Sequence, residues 1–303
     1  MSREPRPLIV SLSGGLGNQL FQWASGYGLA SSRGLDLTVS DIEVGPRGFQ
    51  LADFNIQKAK ETISERSKLA ILRRKQKESL KQKIVWNLKY PFLSSRVVEE
   101  QGFGFDSTLK KRIGPHKILK GTLQSERYFA ELSPQVKKLL LSGFQARPTT
   151  VEALKSLNST DWAAVHVRRG DYLRFTGTFG LLGPEYFSRA RDELIKIFGS
   201  KLRFVLFSDD PTEAQKVCDW ADTVIASSFG SPSQPLWLMS RASAIIGSNS
   251  SYSWWSSFLA SDGTPAIFPS PWFPGDKPIG KDVIPSWAMP IERSDLCEGS
   301  EPT

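Results

Sequence analysis

Short apolar runs of strand length alternate with helix-patterned stretches along most of the chain, and such alternation marks parallel βα units. Leu8 to Leu12 reads as a strand, Ser13 to Asn18 as a glycine turn, Gln19 to Ser32 as a helix and Leu35 to Val39 as a second strand. The pattern restarts near Asp161. There Trp162 to Val167 predicts a strand and Pro184 to Phe198 a helix opened by proline. Leu202 to Phe207 and Ala221 to Ala226 predict strands, Leu236 to Ser243 a helix and Ala244 to Ser248 a buried strand. Asn249 to Ala260 then predicts a helix, and Pro265 to Pro269 an edge strand. Two α/β halves follow, residues 1–158 and 159–292, with 293–303 as a flexible tail. Ligands of such folds lie at the carboxyl ends of the strands.

Composition narrows the partners. The 303 residues suit two domains of ordinary size, and 40% hydrophobic with 23% charged residues describe a globular chain. No apolar run approaches the roughly 18 residues that cross a bilayer. The opening MSREPRPLIVSLSGG has no leader pattern, so a cytoplasmic protein is expected. Cys218 and Cys297 stand far apart without a CxxC, and His116 and His166 have no metal-ligand spacing, so inert thiols and no metal are expected. Between Lys58 and Lys89 eleven basic residues stand against three acidic ones, an excess equal to the net charge of +8 of the whole chain. The remainder is near neutral, which argues against a surface that tracks nucleic acid. Leu80, Ile84 and Leu88 recur every four residues in this basic insertion (58–89) and predict an amphipathic helix. Its plain role is a solvated face; the alternatives are peripheral contact with an anionic membrane or a lipid-phosphate-linked acceptor and, last, nucleic acid.

Three motifs could carry chemistry. Gly14-Gly15-Leu16-Gly17-Asn18-Gln19 ends a strand and opens a helix, where glycines let backbone amides approach an anion. It is neither a P-loop, since no Gly-Lys-Ser/Thr follows, nor the dinucleotide fingerprint, whose third glycine would fall on Leu20. His166-Val167-Arg168-Arg169-Gly170-Asp171 ends a strand with two guanidinium forks suited to bidentate phosphate contacts. Side chains alternate along a strand, so both arginines face one way only if the chain turns, which Gly170 permits. Ser248-Asn249-Ser250-Ser251-Tyr252-Ser253-Trp254-Trp255 runs into a helix: caps by default, and also a second anion cradle, with the tryptophans as core. No Asp-x-Asp occurs, the nearest pattern being Asp209-Asp210, so a diphosphate's charge falls to arginine and helix termini rather than to Mg²⁺.

In this order the motifs resemble the α-1,2-fucosyltransferases of glycosyltransferase family 11. The resemblance rests on GGLGNQLFQWASGYGLA (Gly14 to Ala30), LQSERYF (Leu123 to Phe129), HVRRGDY (His166 to Tyr172), FSDD (Phe207 to Asp210), LWLMS (Leu236 to Ser240) and SNSSYSWW (Ser248 to Trp255). It implies a GT-B-like α/β fold of two Rossmann-type halves facing a central cleft, the first on the acceptor side and the second on the donor side. It also implies GDP-β-L-fucose as donor, no cofactor, and metal-independent, inverting transfer to the 2-hydroxyl of a galactoside in an oligosaccharide or lipid-linked glycan. By the same resemblance Arg168 or Arg169 holds the donor diphosphate, Asn18 lies near the reacting sugar, and the hydroxyls of Ser250 and Ser251 touch phosphate. Gly15, Gly17, His166, Asp209 and Tyr252 are expected to complete the donor site. Arg169, assisted by Arg168, is the expected stabiliser of leaving-group charge. Asp171 is the candidate base, with Glu126 or a donor phosphate oxygen as alternatives.

The sequence departs from the family pattern at Pro235 and Ala244, where members usually carry Asp and His. The aspartate is the residue relatives use on the guanine edge, so that task passes to Gln234 or a backbone carbonyl. The basic insertion and these two departures motivate a second reading, a non-catalytic nucleotide-sugar or polyanion-binding protein.

Overall fold

A computed structural model describes residues 6–59, 96–102, 104–170, 172, 176–226, 229–275, 280 and 282–295. Asp171, Cys297 and most of the basic insertion lie outside the described residues. The chain divides into two compact units, Met1–Gly143 and Phe144–Thr303.

The first unit is built on a four-stranded parallel sheet. In chain order its elements are β1 (Pro7–Ser11), α1 (Leu16–Ser31), β2 (Asp36–Ser40), β3 (Val97–Glu99), α2 (Leu109–Arg112), β4 (Ile118–Lys120) and α3 (Ser133–Gly143). The strands lie in the order β2-β1-β4-β3, which makes β1 and β4 neighbours and sets the glycine turn after β1 beside the loop after β4. The Gln22 side chain joins them. It accepts from the Ser13 N–H at 2.8 Å and donates to the Gly121 carbonyl at 2.9 Å. Helix α1 is buried along nearly its whole length, with Leu20, Phe21 and Ala24 fully enclosed. Gly28 is what allows so close a fit: a β-carbon there would overlap the Tyr128 carbonyl.

The second unit holds a six-stranded, all-parallel sheet in the order β10-β9-β8-β5-β6-β7. Its elements are α4 (Pro148–Leu157), β5 (Trp162–Val167), α5 (Thr176–Phe179), α6 (Pro184–Phe198), β6 (Arg203–Ser208), α7 (Pro211–Val217), β7 (Thr223–Ala226), α8 (Ser233–Met239), β8 (Ala244–Ile246), α9 (Ser251–Phe258), β9 (Ala266–Ser270) and β10 (Met289–Glu292). From β5 the chain steps outward through β6 and β7, then returns to place β8 on the other side of β5. That reversal is the topological switch point of a doubly wound sheet, outside whose carboxyl ends ligands bind. Every residue of β5 is buried, because helices cover both faces. Ala163, Val165 and Val167 join one core with Tyr186 and Phe187 of α6, while Trp162 and Ala164 join the opposite core with Leu238 and Met239 of α8.

Both units are Rossmann-type α/β layers, the GT-B-like class expected. Three details differ from the sequence reading. Helix α4, assigned there to the first half, belongs to the second unit. The Gln234 side chain at the start of α8 explains this, since it accepts from the Arg147 N–H at 2.9 Å and from Thr150 Oγ1 at 2.8 Å. The strand near Pro265 is not an edge, because β10 pairs outside it and lines Ile291 up with Pro269. Residues 293 to 295 are tied down rather than forming the start of a tail. Arg293 Nη2 donates to the Phe179 carbonyl at 2.9 Å, and the Gly183 N–H donates to the Ser294 carbonyl at 2.7 Å.

Candidate functional site

At the switch point of the second sheet two of the three motifs meet. Strands β5 and β8 run in register, Val165 opposite Ile246, so His166 and Arg168 emerge beside Gly247 and the turn Ser248–Ser250. The Ser248 N–H donates to the His166 carbonyl at 3.2 Å, extending the pairing past the end of β8. Tyr186 of α6 donates its hydroxyl to the Gly247 carbonyl at 2.7 Å and fixes the turn from below.

Alternation along β5 continues past Val167 and separates the two arginines. Arg169 follows the Val165 and Val167 face; it is 2% exposed, and Nη2 donates to the Leu182 carbonyl at 2.8 Å. Burial pulls its pKa down from the ordinary guanidinium value, and nearby Cys218, Glu213, Asp209 and Asp210 oppose that pull. Arg168 follows the His166 face, and its Nη1 pairs with Asp209 Oδ2 at 2.8 Å with the side chain 21% exposed. Gly170 serves another purpose than turning both arginines to one side. A β-carbon there would overlap Asp209 Oδ2, so glycine lets the carboxylate lie across the turn.

His166 is 3% exposed, its Nδ1 lying 2.6 Å from Ser253 Oγ and 3.3 Å from Ser248 Oγ. Burial, seconded by the positive charge of Arg168, lowers its pKa to about 3. The imidazole is therefore neutral near pH 7 and ties β5 to the first turn of α9. Ser250 caps that helix, its hydroxyl accepting from the Tyr252 N–H at 3.3 Å. Ser251 opens the helix and is half-buried. Tyr252 packs its ring 5.2 Å from His166 and donates its hydroxyl to the Pro232 carbonyl at 2.6 Å. Burial raises the pKa of that phenol, which keeps it a donor. Trp254 and Trp255 are fully buried, as core.

Tyr172 completes the arrangement, and the sequence reading did not single it out. Its ring lies 5.8 Å from the Arg168 guanidinium, its hydroxyl donates to the Asn249 carbonyl at 2.8 Å, and it stacks on Phe179 at 4.6 Å. The signal available was an aromatic residue two positions beyond the strand-ending glycine.

In the first unit, Gly14 adopts φ +75° and Gly15 the N-cap position of α1 without a side-chain cap. Gly17 is buried in the first turn. Asn18 Oδ1 accepts from Gln124 Nε2 at 2.9 Å, which links the glycine turn to the loop after β4. Glu126 accepts from Ser133 Oγ at 3.1 Å at the start of α3. The Gln234 oxygen that base reading would require already accepts twice, and Nε2 donates to the Gln145 carbonyl at 3.0 Å. Pro235 beside it is buried in α8, and Ala244 is fully buried in β8. Cys218 is buried, and its pKa is pushed up to about 12, so it is a thiol. Among the described residues no group of three or more His, Cys, Asp or Glu could hold a metal ion, and no helix is long and apolar enough to cross a membrane.

Comparison with known proteins places these features in context. A family model described as Glycosyl transferase family 11 matches residues 9–278. An alpha-1,2-colitosyltransferase of Escherichia coli is 29% identical over 94% of this chain and 99% of its own length. The O-antigen biosynthesis glycosyltransferase WbnK of Escherichia coli is 25% identical over 91% of this chain and 98% of its own. Among solved structures, fucosyltransferase NodZ from Bradyrhizobium superposes with a TM-score of 0.50 at 12% identity, over 85% of this chain and 94% of that one; this likeness is one of fold.

Proposed function

Since the chain belongs to glycosyl transferase family 11, we propose that it moves L-fucose from GDP-β-L-fucose to the 2-hydroxyl of a galactoside, with inversion and without a metal. The acceptor is an oligosaccharide or a lipid-linked glycan. The observation that carries the reading is that the end of β5, which bears Arg168, is bonded through His166 to the Ser248–Ser251 turn at the switch point of the second sheet. One fixed cation and a hydroxyl-rich helix start give a diphosphate two kinds of partner.

In this mechanism the acceptor oxygen attacks the anomeric carbon as its bond to the diphosphate breaks, and the electron pair goes to the β-phosphate oxygen. Arg168 stabilises that developing charge. Arg169 holds the strand end from within, since its guanidinium is turned to Leu182. The acceptor proton goes to Asp171 or to a donor phosphate oxygen; Glu126 fits less well, being already bonded to Ser133. Asn18, Gly15 and Gly17 keep the donor-side roles that the family pattern gives them. Guanine is read by backbone groups rather than by Gln234, whose amide is engaged on both ends. The alpha-1,2-colitosyltransferase relative favours a second donor sugar, colitose, in the same site.

A donor screen followed by mass spectrometry tests this. GDP-fucose or its colitose counterpart with a terminal galactoside should yield a product heavier by one sugar and release GDP. The same rate is expected with EDTA present. Abolition by EDTA removes the metal-independent mechanism, and binding of GDP with no transfer to any galactoside favours a non-catalytic protein.

A further inference from the structure

We propose that Asp209 is a positioning residue that sets the reach of Arg168, rather than a contact to the donor. The inference rests on the diphosphate role of Arg168 given above.

Asp209 stands just past β6, where Ser208 Oγ donates to the Val167 carbonyl at 2.7 Å and locks the ends of β5 and β6 together. On that fixed base both carboxylate oxygens are engaged. Oδ1 accepts from the Arg169 N–H at 2.9 Å, and Oδ2 from Arg168 Nη1 at 2.8 Å. The glycine at 170 belongs to the same device, because any β-carbon there would displace Oδ2. One carboxylate thus holds the backbone of one arginine and the side chain of the other.

A carboxylate aimed at a diphosphate would repel it; held sideways against a guanidinium, it orients the cation instead. Arginine has a long side chain with several rotatable bonds, and ordering it before the ligand arrives removes that cost from binding. Asp209 is an exposed residue at the lip of the strand ends, yet its side chain, 26% exposed, is turned in against Arg168. Deleting the charge should therefore weaken what Arg168 does, not relieve repulsion.

The sign of that effect is the test. Asp209→Asn keeps an oxygen for the Arg169 N–H and loses the anionic acceptor for Arg168. Calorimetric titration with inorganic pyrophosphate and with GDP, and transfer kinetics, are measured on wild type, D209N, R168A and the double variant. Positioning predicts pyrophosphate binding about tenfold weaker in D209N and kcat lower by about ten- to a hundredfold, on the strength of one charged hydrogen bond. It also predicts no further loss when D209N is added to R168A. Thermal unfolding of each variant separates misfolding from misplacement, and D209E serves as a second variant if D209N unfolds. Unchanged or tighter pyrophosphate binding in D209N overturns the proposal, as do losses that multiply in the double variant. Those results in an active wild-type enzyme leave the transferase reading standing; a wild type that binds no nucleoside diphosphate removes both.

Discussion

Arg168 and Arg169 are adjacent in sequence yet differ in everything a site needs. One lies at the lip, paired to Asp209; the other is enclosed and bonded to Leu182. Arg168→Ala should reduce kcat about a hundredfold or more, the usual loss for one donor to a developing oxyanion, with little change in melting temperature. Arg169→Ala should instead lower stability by more than about 1 kcal/mol, because the Leu182 carbonyl loses a charged donor in a buried place. Steady-state kinetics beside calorimetry would separate the two. His166 carries a pH signature. Unfolded, it takes a proton near 6.5; folded, only near about 3, because burial and Arg168 disfavour its charge. The unfolded chain therefore binds more protons between these values, so the contribution is complete above 6.5 and declines as pH falls. The slope is about 1.4 kcal/mol per pH unit. Urea midpoints from pH 7 to 4 should fall less steeply in His166→Gln than in wild type.

Elements show the same dependence on close approach. Helix α1 can lie against the segment Glu126–Tyr128 only because position 28 has no side chain. Gly28→Ala should destabilise the first unit by about 1 to 3 kcal/mol through overpacking, measured by denaturant titration. The gain in helix propensity, on the order of 1 kcal/mol, does not offset a β-carbon placed on a carbonyl oxygen. The long elements were legible in the sequence: β5 and α6 have the bounds the hydrophobic pattern predicts. The short ones were not. Strands β3 and β4 have three residues each, too few for alternation to register, and sit in a stretch whose glycines suggest loop. Strand β10 reads Met-Pro-Ile-Glu, and its proline hid it. As the outermost strand it tolerates one.

At the scale of the molecule, the first residues of the second unit are held by an amide. Gln234 binds the chain at Gln145, Arg147 and Thr150, so Gln234→Leu should lower the stability of the second unit by about 2 to 4 kcal/mol, read as an earlier unfolding transition. That side chain seemed available for base recognition when only its neighbours in sequence were considered; its partners lie more than eighty positions away. The linear chain determined the α/β class, the parallel units and the motifs at strand ends, because hydrophobic period and turn chemistry are local properties. It also determined that adjacent residues of a strand point to opposite faces. What only the tertiary structure decided is which face becomes core. That choice depends on which helices cover the sheet, and it buried Arg169 while leaving Arg168 at the switch point. The order in which β8 returns to β5 brought the serine turn to the same place, and no property of either segment alone specifies that neighbour.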